Sequence, residues 1–171
     1  MVNIHHSLTD STSDDVLLSS IYKILNENTL LSMATINTDG SPHINTAYYV
    51  HDKELNLYVF TDPATMHGKN LENNPSVALT VFNSSQPFGS DLCGLQIFGK
   101  CEQCNTAHSA IAFLAYSKKF PKLLKWAANI NAVLSHLNSR FYRIQVESLK
   151  VFDEPVLGKE VFVPIDISDD R

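Results

Sequence analysis

The central part of the chain is a run of predicted strands separated by very short polar turns, and this run constrains the fold most. Leu30 to Ile36 has the pattern of a largely buried strand, and Asp39-Gly40 is a strong hairpin signal before the return strand His43 to His51. A second polar turn, Asp52 to Glu54, leads into alternating residues from Leu55 to Thr61. Strands joined by such short turns are antiparallel neighbours. The sequence therefore predicts a meander or barrel rather than a doubly wound parallel sheet.

Helices and further strands are predicted on both sides of this run. Apolar residues at Leu17, Ile21, Ile24 and Leu25 form one helical stripe in a helix that begins near Ser13. The remaining predicted elements are a short helix between Asp62 and Pro75, strands over Ser76–Phe82 and Leu92–Cys104, helices over Thr106–Tyr116 (N-cap Asn105) and Pro121–Ala128, and strands over Phe141–Val146 and Lys150–Phe152. Together they predict an α+β fold built on a mainly antiparallel barrel of about six strands with flanking helices.

Length and composition predict a single domain. The 171 residues match one domain at about 150 residues per domain, and the sequence contains no internal repeat and no interdomain linker. We expect residues 1–12 to form a mobile N-terminal segment, residues 13–165 the domain, and residues 166–171 an acidic tail that includes Asp169 and Asp170.

The charge balance narrows the classes of partner. The formal net charge is -5, whereas a small nucleic-acid-binding protein normally has a basic excess. Charged residues make up 18% of the chain, below the roughly 25% typical of soluble domains, which fits a surface partly covered by an oligomer interface or a pocket. The sequence has no secretory signal and no apolar run of the 18 or so residues that a membrane span requires. We therefore expect a cytoplasmic protein that binds neither nucleic acid nor membranes.

Few residues form a recognisable catalytic or metal-binding motif. Cys93, Cys101 and Cys104 are odd in number, which is unsuited to a disulfide framework. Cys101 and Cys104 do form a C-x-x-C pair, but a zinc site needs four ligands and no second pair follows. The thiols are interpreted as incidental, with a redox or metal-binding role as the alternative. Hydrolase, nucleotide-loop and zinc-protease motifs are absent, so no catalytic residue and no metal ligand are predicted.

The loop from Thr61 to Leu71 has the composition of an anion-binding loop. It contains Thr65, His67, Gly68 and Lys69 between a strand end and a short predicted helix. Lysine supplies a positive charge, hydroxyl and backbone N–H groups donate hydrogen bonds, and a helix N-terminus favours an anion. The alternative interpretation is an exposed polar turn whose lysine faces solvent.

An ordered series of short segments between residues 28 and 103 is shared with a known family. These segments are Leu31–His43, Tyr48-Tyr49, Asp52, Leu57–Thr61, Lys69–Leu71, Asn74–Leu79 and Gly94–Gly99. The series resembles the FMN-binding split barrels related to pyridoxamine 5'-phosphate oxidase. Gly94-Leu95-Gln96, Ala115–Pro121 and Leu157–Lys159 extend the resemblance to the YhbP-like subgroup, small bacterial proteins of unassigned function.

This resemblance implies FMN as cofactor, bound at the subunit interface of a homodimer. The positions that match the flavin-ring contacts of the family are Thr46, Ala47, Tyr48, Phe60 and Thr61, and Gln96 matches a polar residue that faces the ring. The implied phosphate site consists of Thr65, His67, Gly68 and Lys69. Lys69 matches the family's lysine, whereas Met66, His67 and Gly68 stand where arginine or serine is usual. His67 replaces the bidentate guanidinium contact only in part.

The function implied is that of an FMN-dependent oxidoreductase acting on a small molecule. The flavin would carry out the redox step, so no side chain is required as acid or base. Oxidation of vitamin B6 is not expected, because Cys93 to Gln96 replace an arginine-rich segment and the chain has only three arginines. The alternative, motivated by the altered phosphate loop, is a non-catalytic binding or sensing barrel for haem or another flavin-like ligand.

Overall fold

The computed structural model describes residues 2–6, 13–122 and 138–168. Within them the strands are β1 Asn3–His6, β2 Leu30–Ile36, β3 Pro42–His51, β4 Leu57–Thr61, β5 Ser76–Phe82, β6 Cys93–Gln103, β7 Arg140–Asp153 and β8 Val163–Ser168. The helices are α1 Asp14–Glu27, α2 Met66–Asn73, α3 Thr106–Lys119 and α4 Glu154–Leu157. None of the helices in these ranges is long and apolar enough to cross a membrane.

Six of the strands close into an antiparallel barrel. Their order is β7-β4-β3-β2-β5-β6, and β6 pairs with β7 again to complete the wall. The 14-residue strand β7 makes this closure possible. Along one edge, its first half pairs with β4 and its second half pairs with β8. Along the opposite edge it pairs with β6. Strands β8 and β1 extend the sheet beyond the barrel. The predicted α+β fold with a mainly antiparallel barrel is confirmed.

The barrel wall is split where β3 and β4 separate. The two strands pair only from Tyr49 to His51 with Leu57 to Val59. In contrast, β3 pairs with β2 from Pro42 to Tyr48. From Pro42 to Tyr48, β3 is thus paired with β2 along one edge, and its other edge has no β4 partner. Helix α3 packs against β3 and β7 beside this opening.

Two hydrophobic clusters hold the elements together. The larger fills the barrel and includes the predicted α1 stripe, Leu17, Ile21, Ile24 and Leu25, all buried. This confirms the helix predicted from their spacing, and burial of one apolar stripe is what fixes such a helix on a barrel end. The smaller cluster lies under α3 and consists of Val50, Tyr58, Ala112, Tyr116 and Phe141.

The strands extend beyond the predicted limits of the domain at both ends. Asn3 to His6, within the segment expected to be mobile, pair with Ile165 to Ser168 of β8. The tail expected from residue 166 therefore begins inside a strand. Burial of Ile4 and Ile165 in the core explains why these short segments are ordered as strands.

Other boundaries differ for local reasons. One long strand, β7, replaces the two strands predicted over residues 141–152. Leu55 lies in the turn before β4 with a φ of 59°, so the strand begins at Leu57. Helix α3 extends to Lys119, and its predicted N-cap Asn105 accepts a hydrogen bond from the His108 N–H. Pro121 begins a turn, and the rest of the helix predicted from it lies outside the described residues.

Candidate functional site

A groove of about 680 Å³ lies at the split between β3 and β4. This volume is in the range of sites for cofactors and other small molecules. The residues that line it are Asn45, Thr46, Ala47 and Tyr48 of β3, Phe60 and Thr61 of β4, His67 of α2, Tyr116 of α3, Phe120 and Lys122 after α3, and Phe141 of β7.

Aromatic side chains form one continuous wall of the groove. The ring centroids of Phe60 and Phe141 are 4.7 Å apart, those of Tyr116 and Phe141 5.6 Å, and those of Tyr48 and Phe120 5.3 Å. The Tyr116 hydroxyl donates to the Tyr48 carbonyl at 2.6 Å, which fixes α3 to the split edge of β3. Burial raises the pKa of the Tyr116 hydroxyl, so it remains a donor at neutral pH. A wall of this kind suits a flat conjugated ring.

One end of the groove is polar and centres on His67. The His67 Nε2 atom lies 2.6 Å from the Thr61 Oγ1 atom and 3.0 Å from the Thr65 Oγ1 atom. The His43 ring stacks on the His67 ring with centroids 6.2 Å apart. Burial, and then electrostatic repulsion from His43, lower the pKa of His67. The imidazole of His67 is therefore neutral at pH 7.

The edge of β3 that is not paired with β4 presents polar backbone and side-chain groups to the groove. The Asn45 Oδ1 atom is buried and has no hydrogen-bond partner in the structure as described. The Tyr49 N–H donates to the Thr29 carbonyl on the β2 side, while the Tyr48 carbonyl points across the split. Since backbone groups alternate along a strand, the N–H and C=O of Thr46 also point into the split. The groove thus combines an aromatic wall with a polar edge of donors and acceptors.

The structure brings six of the ten predicted cofactor residues together in this groove. They are Thr46, Ala47, Tyr48, Phe60, Thr61 and His67. Thr65 does not line the groove but contacts His67, which does. Its hydroxyl caps α2 by accepting from the Gly68 N–H at 3.3 Å. Gly68 itself is buried against the Pro63 carbonyl, and a side chain there would collide with it.

Lys69 and Gln96 lie elsewhere. Lys69 is exposed and lines a separate cleft of about 570 Å³ between α2 and the turn at Thr38 and Asp39. Gln96 points outward from β6 and is paired across the sheet with Thr80. Neither residue lines the groove of its own chain.

Five groove residues were not among those predicted from the sequence. They are Asn45, Tyr116, Phe120, Lys122 and Phe141. Asn45 is adjacent to the predicted β3 positions, and its side chain reaches the groove because the strand edge is open. Tyr116 and Phe120 have the i, i+4 spacing of neighbours on a helix face, which indicates a shared surface but not the element that it faces.

The cysteines do not contribute to this site. All three are free, and Cys101 is fully buried. Burial raises the pKa of Cys104 to about 12 and that of Cys101 further, so both remain thiols at neutral pH. Within residues 2–6, 13–122 and 138–168, no group of three or more His, Cys, Asp or Glu side chains could hold a metal ion.

A six-stranded antiparallel barrel that opens along one strand edge onto an aromatic groove defines the class of split-barrel proteins. The chain belongs to the pyridoxamine 5'-phosphate oxidase family, whose model matches residues 19–150. This confirms the resemblance to the family, while the likeness to the YhbP-like subgroup stays a prediction. A search of curated proteins finds no match to the sequence.

Solved structures share the fold at low sequence identity. A heme-binding protein from Mycobacterium smegmatis superposes with a TM-score of 0.68 at 15% identity, over 91% of this chain and 59% of that one. HutZ, the heme storage protein from Vibrio cholerae, gives 0.65 at 19% identity, over 78% and 93%. An FAD-binding protein from Mesorhizobium loti gives 0.57 at 20% identity, over 96% and 99%. The chain spans 59% of the length of the Mycobacterium smegmatis protein, and these likenesses concern the fold.

Proposed function

We propose that this chain binds FMN in the groove and acts as a flavin-dependent oxidoreductase on a small molecule. The observation that carries the proposal is the buried Asn45 Oδ1 atom, which lines the groove without a donor. An unsatisfied buried acceptor costs about 1–3 kcal/mol. A ligand with an N–H group at this edge would remove that cost after a rotation of the Asn45 side chain that brings the oxygen to the groove surface. A flavin ring carries such an N–H between two carbonyls. The rim of a haem presents acceptors and apolar groups instead, so Asn45 favours the flavin.

The remaining groove residues fit the rest of the cofactor. Tyr48, Phe60 and Phe141 offer faces and edges for the ring, and the backbone of Thr46 offers a donor and an acceptor to its polar edge. Lys122 is exposed and supplies a positive charge for a phosphate. Bound FMN would supply electron and hydride transfer, while the protein would bind and orient it. This division agrees with the described lining of the groove, which contains no carboxylate.

The proposal includes a second copy of the chain that covers the outer face of β3, β2, β5 and β6. Across these strands Ile44, Ala34, Ala78 and Phe98 form one apolar row, with Ile44 69% and Phe98 41% exposed. The next row is Thr46, Ser32, Thr80 and Gln96, and beyond it Tyr48 pairs with Leu30. None of these residues is charged. Depletion of charge together with exposed apolar side chains is characteristic of an interface core.

This arrangement also gives Gln96 a place in the site. In one chain Gln96 is separated from Thr46 by β2 and β5, about 14 Å at the usual strand spacing, too far for contact with a ligand in the same groove. Thr46 and Tyr48 belong both to the groove and to the uncharged face. If two copies pair through this face about a two-fold axis, each Gln96 is carried toward the groove of the other copy. The homodimer would then complete both sites.

The second candidate is a non-catalytic barrel that binds or senses haem. Two observations favour it. His67 lines the groove and stacks with His43, and the fold is shared with two heme-binding proteins. The His67 Nε2 atom, however, is occupied by the Thr61 and Thr65 hydroxyls, so an iron ligand would have to displace both. In either case we propose that the protein is cytoplasmic, because in that compartment its free thiols remain reduced.

The visible spectrum of the purified protein, titrated with FMN and with hemin, tests the proposal. We expect FMN to bind stoichiometrically, to lose its fluorescence and to raise the melting temperature, whereas hemin should not. Asn45→Leu should weaken FMN binding, and Asn83→Leu, at an exposed loop position, is the matched control. A protein that excess FMN neither colours nor stabilises would overturn the flavin proposal. Reduction of the bound flavin by NADH or NADPH, with turnover on an acceptor, separates an enzyme from a sensor.

A further inference from the structure

We infer that Phe88 of one copy packs on Tyr48 and Phe120 of the other copy and closes that copy's groove toward solvent. Phe88 lies on the loop of residues 83–92 between β5 and β6. We call the end of the groove at Tyr48 and Phe120 its mouth. Phe88 acts in this way only in the dimer that the proposed function includes, and on that dimer the inference rests. The ligand that gains from such a closure is a flat ring, because an aromatic side chain excludes water from its edge.

The loop between β5 and β6 is fixed at its base by side chains. The Gln86 Oε1 atom accepts from the Cys93 N–H at 2.7 Å, and the Gln86 Nε2 atom donates to the Cys93 carbonyl at 3.1 Å. The same Nε2 atom donates to the Asn83 carbonyl at 2.9 Å. On the far side of the loop, the Glu154 Oε2 atom accepts from the Leu92 N–H at 2.8 Å. Both ends of the loop are therefore held to the sheet.

The tip of this loop is a tight turn that presents Phe88. The N–H and the hydroxyl of Ser90 both donate to the Pro87 carbonyl, at 3.1 and 2.8 Å. Gly89 has a φ of 82°, as the third residue of a type II turn requires. Phe88 occupies the second position and is fully exposed. A large apolar side chain on a turn fixed in this way loses little conformational freedom when it binds, which is a property of an interface anchor.

The strand pairing places this loop at the same level as Tyr48. Tyr48 pairs with Leu30 of β2. Two residues further along β2, Ser32 pairs with Thr80 of β5. Because β2 and β5 are antiparallel, Leu30 is level with Phe82, the last residue of β5. The loop that follows Phe82 therefore leaves the sheet at the row that begins at Tyr48.

The two-fold axis that brings Gln96 to the other copy's groove also brings this loop to its mouth. Gln96 on β6 and Thr46 on β3 lie at opposite borders of the uncharged face, in one row. An axis that exchanges these strands between copies runs parallel to them and leaves each residue at its level. The loop then lies over the Tyr48 end of the other copy's β3. Residues between Phe82 and Phe88 rise by up to about 3.3 Å each, enough to cross the roughly 10 Å between packed sheets.

The two surfaces that meet are complementary. Tyr48 is 60% exposed, and its ring lies 5.3 Å from that of Phe120 in an edge-to-face arrangement. The ring of Phe88 would extend this pair by a third member. Asp91 is the one charged residue of the loop, and Lys122 is the one charged residue among the described residues that line the groove. Opposite charges favour the approach of the two surfaces.

A photo-crosslinking amino acid at position 88 tests the contact without any ligand. On irradiation of the purified protein we expect covalent dimers of twice the 19.1 kDa mass, and mass spectrometry should locate the crosslink at Tyr48 or Phe120. The same amino acid at Met66 is the matched control, because this exposed residue lies beside Thr38, at the other end of the strands. It should give no crosslink to either aromatic residue. A protein that is dimeric by light scattering but forms no crosslink from position 88 to the second copy would overturn the inference.

Substitutions at Phe88 test the closure of the groove. We expect Phe88→Ala to remain dimeric and to bind FMN and riboflavin each about fivefold more weakly, because the lost contact lies at the ring and not at the phosphate. Phe88→Tyr keeps the aromatic ring and should bind both within about twofold of the wild type. Ser84→Ala, at an exposed position of the same loop, is the control and should bind as the wild type does. Wild-type affinity in Phe88→Ala would overturn the closing role.

The failure of this inference can be told apart from the failure of the proposed function. Crosslinked dimers of a protein that binds no flavin would support the contact of Phe88 and overturn the flavin proposal alone. A wild type that binds FMN as a monomer would overturn the contact of Phe88 and leave the flavin proposal standing. Cosedimentation with phosphatidylcholine vesicles that is lost in Phe88→Ala would overturn the inference, because Phe88 would then face lipid.

Discussion

Two lysines close to the groove differ in where their side chains lie, and this difference can be measured. Lys122 lines the groove, whereas Lys69 is exposed in a separate cleft that also contains Asp39 and Glu72. The family resemblance assigns the phosphate contact to Lys69, but the geometry favours Lys122. A lysine can contact a phosphate in the groove only if its side chain reaches the groove. Lys122 does so and Lys69 does not.

We therefore expect Lys122→Ala to weaken FMN binding about tenfold, or about 1.4 kcal/mol, and to affect riboflavin much less. Lys69→Ala is the matched control and should change either affinity by less than about twofold, since its side chain lies in a separate cleft and not in the groove. Fluorescence titrations at fixed ionic strength measure both. A larger loss for Lys69→Ala than for Lys122→Ala would return the phosphate site to the cleft beside α2.

Two partly buried histidines should make the stability of the fold depend on pH. Burial is the main cause that lowers the pKa of both His51 and His67. In the unfolded chain each takes up its proton near pH 6.5, while the folded chain resists protonation until lower pH. The unfolded state therefore binds more protons below about pH 6.5, and stability must fall as the pH decreases through this window.

Urea unfolding at pH 7.5 and pH 5.5 should show a lower free energy of unfolding at the acidic pH. Replacing His51 and His67 together by Asn should reduce that difference. His5→Asn, at an exposed position of β1, should leave the difference unchanged. A double variant with the full pH dependence of the wild type would show that the two rings are not its source.

At the scale of the elements, Lys119 connects the end of α3 to the end of α1. Its Nζ atom donates to the carbonyls of Asn28 at 2.7 Å and Leu25 at 3.2 Å, and lies 4.3 Å from the centre of the Tyr49 ring. A cation at a helix C-terminus satisfies carbonyls that have no partner within the helix. The position of α3, and with it Tyr116 and Phe120 in the groove wall, depends in part on this contact.

Lys119→Met should destabilise the protein by about 1–2 kcal/mol, because the methionine keeps the volume but loses the hydrogen bonds and the cation–π contact. Lys118→Met, at the exposed neighbouring position, should change stability by less than about 0.5 kcal/mol. Denaturant unfolding compares the two variants. Equal effects would mean that Lys119 contributes no more than a surface lysine.

The sequence predicts those elements whose signals are local. The α1 stripe ending at Leu25, the strand from Leu30 to Ile36 and the Asp39-Gly40 turn all depend on the spacing of nearby residues, and the structure has them as predicted. Strands β1 and β8 were not predicted, because each is short and gains its stability from pairing with a distant segment. Spacing along the chain cannot report such a pairing.

The candidate site shows the same limit. The β3 and β4 positions in the groove were predicted through the resemblance to the family, since they lie on strands that the local pattern already specifies. Tyr116 and Phe120 were missed because their role depends on how α3 docks beside the split. Lys122 lines the groove and Lys69 lines a separate cleft for a related reason. The sequence gives the distance along the loop, while the direction of each side chain is set by packing.

At the scale of the whole molecule, the low charged fraction of 18% can be related to a particular surface. The outer face of β3, β2, β5 and β6 carries the rows that begin at Ile44, Thr46 and Tyr48, none of which contains a charged residue. A charge-poor face of this extent is costly to leave in water when it includes exposed large apolar side chains. It is also continuous with the groove, so covering the face and completing the site would be the same event.

A charge placed in the middle of this face should therefore separate the copies and weaken the site together. We expect the wild type to migrate at twice its 19.1 kDa mass in size-exclusion chromatography with light scattering. Ile44→Lys and Phe98→Glu should each yield monomers and reduce FMN affinity, although neither residue lines the groove of its own chain. Phe162→Glu, at a residue of similar exposure outside these rows, is the control and should remain dimeric with full affinity. Monomers that bind FMN as well as the wild type would show that each groove is complete in one chain. A wild type that is monomeric at all concentrations would remove the second copy, and with it the role of Gln96, from the proposal.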